Sequence, residues 1–346
     1  MESFKTTAFI LVILLSPFIL FGGGQQTQDE SESQDQLQFV DGEGSTVPVK
    51  LPVDRIVVLN SGLSSLIVSL GQSDKIVGRD SYSTFPSSLK GIPVVGKNSA
   101  HPNMERILSL NPQVVLADAM FKDELIAKLQ SLGISVLIEQ TSAPSLTADM
   151  ITRYGALLDC RDRAKEIVNY LAKQDKLIAD KVNEGQSLYK GKGKIYFELR
   201  KDYHSNSRLS TSQQYLDRAG GINIAADREV SVPVLSPEYI VDVDPDIIIR
   251  RASGDLSAKT MKELRSSLMR RPGIAKTTAV QQERVFVIKA DLFLTDRYPT
   301  AIYYIASWLY PEAFADKSPE QYNAEVMDFL FGSGVTNQTA EIYSYP

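Results

Sequence analysis

The sequence is short of the side chains that usually announce chemistry. Its 346 residues contain one cysteine, Cys160, and two histidines, His101 and His204. A single thiol excludes an internal disulfide and any cysteine cluster around a metal. Two histidines exclude a multi-histidine zinc site unless carboxylates supply most of the ligands. There is no excess of basic residues: 37 Lys+Arg stand against 42 Asp+Glu, a formal net charge of −5. That excludes nucleic-acid binding driven by bulk positive charge. No apolar run reaches the roughly 20 residues of a spanning helix; Thr6–Phe21, with 16 residues, comes nearest.

Catalytic signatures are missing too. Gly91-Ile-Pro-Val-Val-Gly96-Lys97-Asn98 approaches a phosphate-binding loop. It puts Asn98 where a magnesium-holding hydroxyl belongs and an apolar strand where the cradle belongs. Gly191-Lys192-Gly193 lacks the third glycine of a dinucleotide fingerprint and precedes a strand instead of following one. No G-x-S-x-G elbow and no H-E-x-x-H occurs. Cys160 reads as a small apolar filler at a helix junction.

What is present is ordered along the chain. Residues 1–24 read as an export signal or an uncleaved anchor, with Lys5 before the apolar run and Gly22–Gly24 behind it. Residues 25–50 are acidic and polar, and read as a flexible linker with a reach of about 28 Å. From Leu51, short apolar strands alternate with helices. Arg55–Leu59, Lys75–Gly78, Pro93–Val95, Val114–Ala117 and Val136–Ile138 read as strands, and Ser64–Leu70, Met104–Leu110, Asp123–Leu132 and Thr147–Leu158 as helices. A long helix follows from Asp162 to about Gly185, carrying Ala164, Ile167, Val168 and Leu171 on one face. The alternation then restarts through Ile195–Leu199, Ile247–Arg250 and Val285–Ile288. This is an α/β fold with parallel sheets. The expected division is a first lobe at 51–160, an interdomain helix at 161–188, a second lobe at 189–332 and a loosely ordered tail at 333–346. The tail carries an Asn337-Gln338-Thr339 glycosylation sequon.

The second half echoes the first. Asn103-Met-Glu-Arg-Ile-Leu-Ser-Leu-Asn-Pro-Gln-Val-Val-Leu aligns without gaps on Ser236-Pro-Glu-Tyr-Ile-Val-Asp-Val-Asp-Pro-Asp-Ile-Ile-Ile. Each copy reads as a capped short helix, an Asx-Pro turn and a buried strand. Glu105 and Glu238 occupy the same place in both. The helix dipole accounts for each carboxylate separately but not for the coincidence.

Open α/β sheets bind ligands beyond the carboxyl ends of their strands. In the second half those ends carry Arg200, Arg250, Arg251 and Arg297. Such a cluster suits an anionic ligand, and Tyr82, Tyr203, Phe293 and Tyr298 can form flat walls. The plainer role for each arginine is a pairing with Asp202, Asp255, Asp291 or Asp296. His204 is of a type that can hold iron or haem axially, although hydrogen bonding is its commoner role in a loop; His101 reads as a surface residue.

The chain resembles the periplasmic solute-binding proteins that serve ABC importers for ferric siderophores, cobalamin and haem. The resemblance runs from about Arg55 to about Phe331. It rests on Arg55-Ile-Val-Val-Leu, Asp74-Lys-Ile-Val-Gly-Arg, the two repeated segments, Ala219-Gly-Gly-Ile-Asn, and Arg297-Tyr-Pro followed by a helix ending Leu309-Tyr-Pro-Glu. It implies two Rossmann-like lobes joined by one helix, a ligand cleft between them and no catalysis. It also implies one glutamate per lobe, here Glu105 and Glu238, docking on arginines of an ABC permease. The expected ligand-binding residues are Tyr82, Arg200, Tyr203, His204, Arg250, Arg251 and Arg297. The expected cargo is a metal chelate, a ferric siderophore first and haem or a corrinoid next, with no resident cofactor or metal. The expected protein is an extracytoplasmic monomer that binds no nucleic acid. No lipid-anchor cysteine follows the apolar segment, which departs from the family. The alternatives are an extracellular α/β hydrolase, for which His204 is the candidate base, and a ligand sensor for a membrane receptor.

Overall fold

The computed structural model describes residues 36–189, 193–253, 257–333 and 344–345. The apolar segment at 6–21, the first part of the expected linker and the sequon at Asn337 lie outside the described residues. Among those described, no helix is long and apolar enough to cross a membrane.

The first lobe is built on a four-stranded parallel sheet. Its strands are β3 (Ile56–Val58), β4 (Ile76–Arg79), β5 (Val114–Ala117) and β6 (Ser135–Ile138), in the order β4-β3-β5-β6. All of β3 and β5 is buried, as expected of parallel strands covered on both faces. The covering helices are α1 (Ser61–Ser69), α2 (Met104–Ser109), α3 (Asp123–Ser131) and α4 (Pro144–Leu157). The strand expected at Pro93–Val95 is only a single parallel bridge between Arg79 and Val94.

The second lobe carries β7 (Lys194–Glu198), β8 (Ile222–Asn223), β9 (Ile247–Ala252) and β10 (Val285–Lys289) as parallel strands. Its order is β11-β10-β9-β7-β8, where β11 (Ser344–Tyr345) pairs antiparallel with β10. Its helices include α6 (Gln213–Arg218), α7 (Pro237–Val243), α8 (Ala258–Met269) and α9 (Thr278–Gln281). The last two helices are α10 (Tyr298–Leu309) and α11 (Pro319–Phe331).

One helix, α5 (Arg161–Leu188), links the lobes. Its 28 residues span about 42 Å at 1.5 Å each. Ala164, Ile167, Leu171, Ile178 and Val182 form its buried stripe. Gly185 continues that stripe because a Cβ there would sit 2.5 Å from Tyr310. The core around α5 is continuous from Val58 and Leu66 of the first lobe to Ile249 and Ile305 of the second. Two contacts reinforce that union. The Arg163 guanidinium donates to the Phe329 carbonyl at 2.8 Å, and Phe85 meets Phe331 edge to face at 5.2 Å.

The repeat seen in the sequence is a repeat of backbone. The Asn103 side chain caps α2 by accepting from the Arg106 N–H at 3.0 Å, and the Ser236 side chain caps α7 by accepting from the Tyr239 N–H at 3.2 Å. Ile107 and Ile240 are both fully buried. Asn111 and Asp244, each before a proline, take the left-handed conformation at φ 46° and 47°.

The expected linker is corrected at its C-terminal half. Residues 36–50 form a hairpin of β1 (Gln36–Val40) and β2 (Thr46–Lys50), antiparallel with Phe39 opposite Val47. Phe39, Val47 and Val49 are buried. These apolar residues recur every second position, the period of a half-buried strand. The strongly polar stretch before Asp35 masks that period when the whole segment is averaged.

Candidate functional site

The carboxyl ends of the strands from both lobes converge on a cleft. Asn60 and Ser61 follow β3, Asp80 and Tyr82 follow β4, Asp118 and Met120 follow β5, and Glu139–Ser142 follow β6. From the second lobe, Arg200 follows β7, Arg251 and Ser253 end β9, and Asp291 and Leu294 follow β10. These residues line two adjoining cavities of about 460 and 340 Å³. Asp118 and Met120 belong to both, so they form the partition. The larger cavity is completed by Gly42 and Glu43 from the turn of the β1–β2 hairpin, together with Arg251 and Leu294. A narrow recess beside the smaller one is lined by Tyr82, Phe85 and Arg297.

The floor of the cleft is a loop of the second lobe bonded to the first. The Thr295 N–H donates to the Thr141 carbonyl at 2.7 Å, and its hydroxyl donates to the Gly62 carbonyl at 3.0 Å. Arg297 lies over the Phe85 ring at 4.4 Å and is buried.

The walls differ in charge. The first lobe presents Glu43, Asp80 and Asp118, whereas Arg200, Arg251 and Arg297 all come from the second, beside Asp291. Burial pushes the Asp80 carboxyl up to about 6, even though it accepts the Ser83 N–H at 2.8 Å. Asp118 accepts from the Asn60 amide at 2.8 Å. Glu139 is buried and held by both terminal nitrogens of Arg153, at 2.6 and 3.0 Å. Arg251 lies over the Phe293 ring at 5.1 Å, and burial lowers its proton affinity. Among the described residues, no group of three or more His, Cys, Asp or Glu is placed to hold a metal ion.

A family model described as periplasmic binding protein matches residues 56–292. The chain belongs to the periplasmic binding protein family. Membership makes it a solute-binding protein and not an enzyme. It is 26% identical over 230 residues to a cobalamin-binding protein of Halobacterium salinarum. That alignment covers 62% of this chain and 58% of the relative, so it spans less than two thirds of that protein. It is 24% identical over 327 residues to an uncharacterized ABC transporter substrate-binding lipoprotein of Bacillus subtilis, covering 90% of this chain and 99% of that one. The fold matches a TroA-like periplasmic binding protein of Veillonella parvula with a TM-score of 0.71 at 23% identity, over 89% and 98% of the two chains. That agrees with the two-lobed α/β architecture expected from the sequence.

Within this binding protein the seven residues expected to hold ligand separate into two groups. Tyr82, Arg200, Arg251 and Arg297 line the cleft cavities or the recess beside them. Arg250, Tyr203 and His204 do not. Arg250 and Arg251 are neighbours on β9, so their side chains leave opposite faces of the sheet. Arg250 pairs with the fully buried Glu198, its cross-strand partner in register, and with the Arg200 carbonyl. Arg271 shares the same carboxylate at 2.6 Å and also holds Asp202 at 2.7 Å. Tyr196 and the Tyr203 N–H donate to Glu198 at 2.7 and 2.8 Å. Tyr203 sits at φ 62° under the Arg271 guanidinium. His204 Nδ1 is 2.9 Å from the Asp202 carbonyl. Of the expected pairings with aspartate, Arg250 makes one, to Asp202 at 3.4 Å, but the buried Glu198 is its main partner; the cluster fixes the loop that carries Arg200.

Glu105 and Glu238 are both exposed, each in the first turn of its repeated helix. Each of these helices runs into a parallel strand, α2 into β5 and α7 into β9, so each begins on the carboxyl side of its sheet.

Asp118, Met120 and Asp291 follow strand ends, where ligand contacts are expected in such sheets, but no local pattern sets them apart from ordinary loop residues. Glu43 had no signal at all, because its segment read as linker. Arg271 lies at a helix C-terminus, far in sequence from Glu198, and nothing local announces the contact.

Proposed function

We propose that this binding protein captures a bulky metal chelate of low net charge, a corrinoid, and delivers it to an ABC import permease. The observation that carries this reading is the near balance of charge in the cleft. Leaving aside Glu139, which Arg153 neutralises, four carboxylates (Glu43, Asp80, Asp118 and Asp291) face three guanidiniums (Arg200, Arg251 and Arg297) in and beside the cavities. A polyanionic ferric chelate would meet the first-lobe carboxylates and be repelled. A ligand rich in amides, with a single phosphate, finds acceptors on one side and guanidiniums on the other. The name of the Halobacterium relative supports the same ligand class, and that of the Bacillus relative supports the transport role.

Delivery would use Glu105 and Glu238 as the docking pair, with Tyr82 covering the bound ligand. Lobe movement is limited in this reading, since α5 and the Thr295 contacts hold the lobes together. The protein would act as a monomer outside the cytoplasmic membrane. The deciding test is titration of the purified chain from Gln25 with cobalamin, haem, ferric citrate, a ferric hydroxamate and a ferric catecholate, read by Trp308 and tyrosine fluorescence and confirmed by calorimetry. Tight binding of cobalamin alone supports the proposal. Tight binding of one anionic ferric chelate in its place returns weight to the arginines and overturns the corrinoid assignment.

A further inference from the structure

The β1–β2 hairpin lies before the stretch that matches the family, which starts at Ile56. Its turn nonetheless forms part of the larger of the two cleft cavities, through Gly42 and Glu43. We infer that this hairpin is a specificity element of the cleft, with Glu43 reading a donor group on the ligand. The inference rests on the proposed function and narrows it to the chemistry of one ligand arm.

The turn is built to hold a fixed position. Asp41 is buried, and its Oδ1 accepts the Glu43 and Ser45 N–H groups at 3.0 and 2.9 Å. Its Oδ2 accepts the Ile138 N–H at 3.2 Å, while the Gly42 N–H donates to the Ile138 carbonyl at 2.8 Å. The turn is therefore fastened to the carboxyl end of β6. Arg153 bridges the same junction, donating to Glu139 and, at 3.0 Å, to the Val40 carbonyl. Below it, Phe39 packs edge to face on Tyr154 at 5.4 Å. Gly42 is required by proximity, because a Cβ there would sit 2.5 Å from Glu139 Oε2 and 3.0 Å from Glu139 Cα.

All of this fixes the backbone and leaves the Glu43 side chain exposed at the cavity. Only its N–H is used by the turn. The same cavity holds Arg251. A ligand arm that donates to Glu43 and accepts from Arg251 satisfies both groups, and a carboxamide does so with one functional group. A carboxylate arm satisfies the arginine and is repelled by the glutamate.

The test compares cobalamin with its side-chain carboxylic acid derivative on wild type, Glu43→Ala, Gly42→Ala and Lys50→Ala. Wild type should prefer the amide by about 10-fold or more, in line with a hydrogen bond to a charged group. Glu43→Ala should bring that ratio close to one while leaving thermal stability unchanged. Gly42→Ala should weaken both ligands by displacing the turn, and Lys50→Ala, at the far end of the hairpin, should change neither. An unchanged ratio in Glu43→Ala overturns the inference and leaves corrinoid capture standing. Failure of wild type to bind either corrinoid overturns both.

Discussion

Asp118 and Arg251 are the same position in two copies of one backbone. The repeat that relates Asn103 to Ser236 carries Asp118 onto Arg251 and Ala117 onto Arg250. Both Asp118 and Arg251 line the larger cavity, one as an acceptor and the other as a donor. One residue earlier the copies diverge again. Ala117 is a small apolar residue beside the buried Leu59, whereas Arg250 is locked to Glu198. The first lobe shows that this strand pair closes without ions. The Glu198 cluster is therefore not a demand of the fold. Its contacts run instead to the Arg200 carbonyl, Asp202 and the Tyr203 N–H. It holds the loop that points Arg200 at the cleft, and the first lobe, with no such loop to hold, needs no counterpart.

The widest effect is expected where the copies agree. Reversing both Glu105 and Glu238 to Arg should abolish uptake of the chelate in cells while calorimetric affinity stays within about 2-fold, since neither residue is among those lining the cleft cavities described above. Loss of affinity in that double variant would place the glutamates in the ligand site and end the docking role. Single reversals sharpen the point: if the lobes dock as equals, each alone should impair uptake strongly.

Next comes stability, where the copies differ. Glu198→Leu strands Arg250 and Arg271 without their shared carboxylate, at a cost of about 3–5 kcal/mol. Urea unfolding should show it as a lower midpoint with an unchanged slope. Converting the pair to its first-lobe equivalent, with Glu198→Leu and Arg250→Ala together, should recover part of that loss. A double variant no more stable than the single one would mean that the cluster is a demand of the second sheet after all.

Ligand affinity separates the two neighbours on β9. Arg251→Ala should weaken binding about 10- to 100-fold, roughly 1.4–2.8 kcal/mol. Arg250→Ala should act mainly on stability. Asp118→Ala, at the matching place in the first lobe, should weaken an amide-bearing ligand and spare an anionic one. Equal losses for both ligand types would erase the distinction between the walls.

The limits of the sequence reading follow from the same geometry. The parallel strands were legible because Val114–Ala117 and Ile247–Ile249 are uninterrupted β-branched and aliphatic runs, and α5 because its stripe recurs at helical spacing. Parity was not legible. A strand buried on both faces carries no alternation to say which of Arg250 and Arg251 faces the cleft. Tyr203 and His204 follow a strand end as expected, yet the left-handed turn at Tyr203 folds them against Val234, Leu235 and Arg271, and no local pattern foretells that turn. The hairpin was hidden by its polar neighbours. The balance of charge is not legible in the sequence, because arginines at strand ends are conspicuous whereas Asp118 and Asp291 look like ordinary loop residues.

The last effect appears only as pH changes and concerns Asp80, whose carboxyl is held near 6 by burial. Its folded value lies above its unfolded one near 3.9, so the native state binds the proton more tightly. The stability that it contributes is complete below about pH 4 and is lost as pH rises through about 6. The loss is at most about 3 kcal/mol at 1.36 kcal/mol per unit. Asp80→Asn keeps an oxygen for the Ser83 N–H and has no proton to lose, so this part of the slope should vanish. Chemical denaturation at pH 4.5, 5.5, 6.5 and 7.5 measures it. The variant should be the more stable protein at pH 7.5 and lose that margin at pH 4.5. Parallel stability curves for the two proteins would mean that Asp80 titrates as an ordinary surface carboxylate. The first-lobe wall would then be fully anionic at every physiological pH, and the contrast with the arginines across the cleft would be larger than the buried Asp80 now implies.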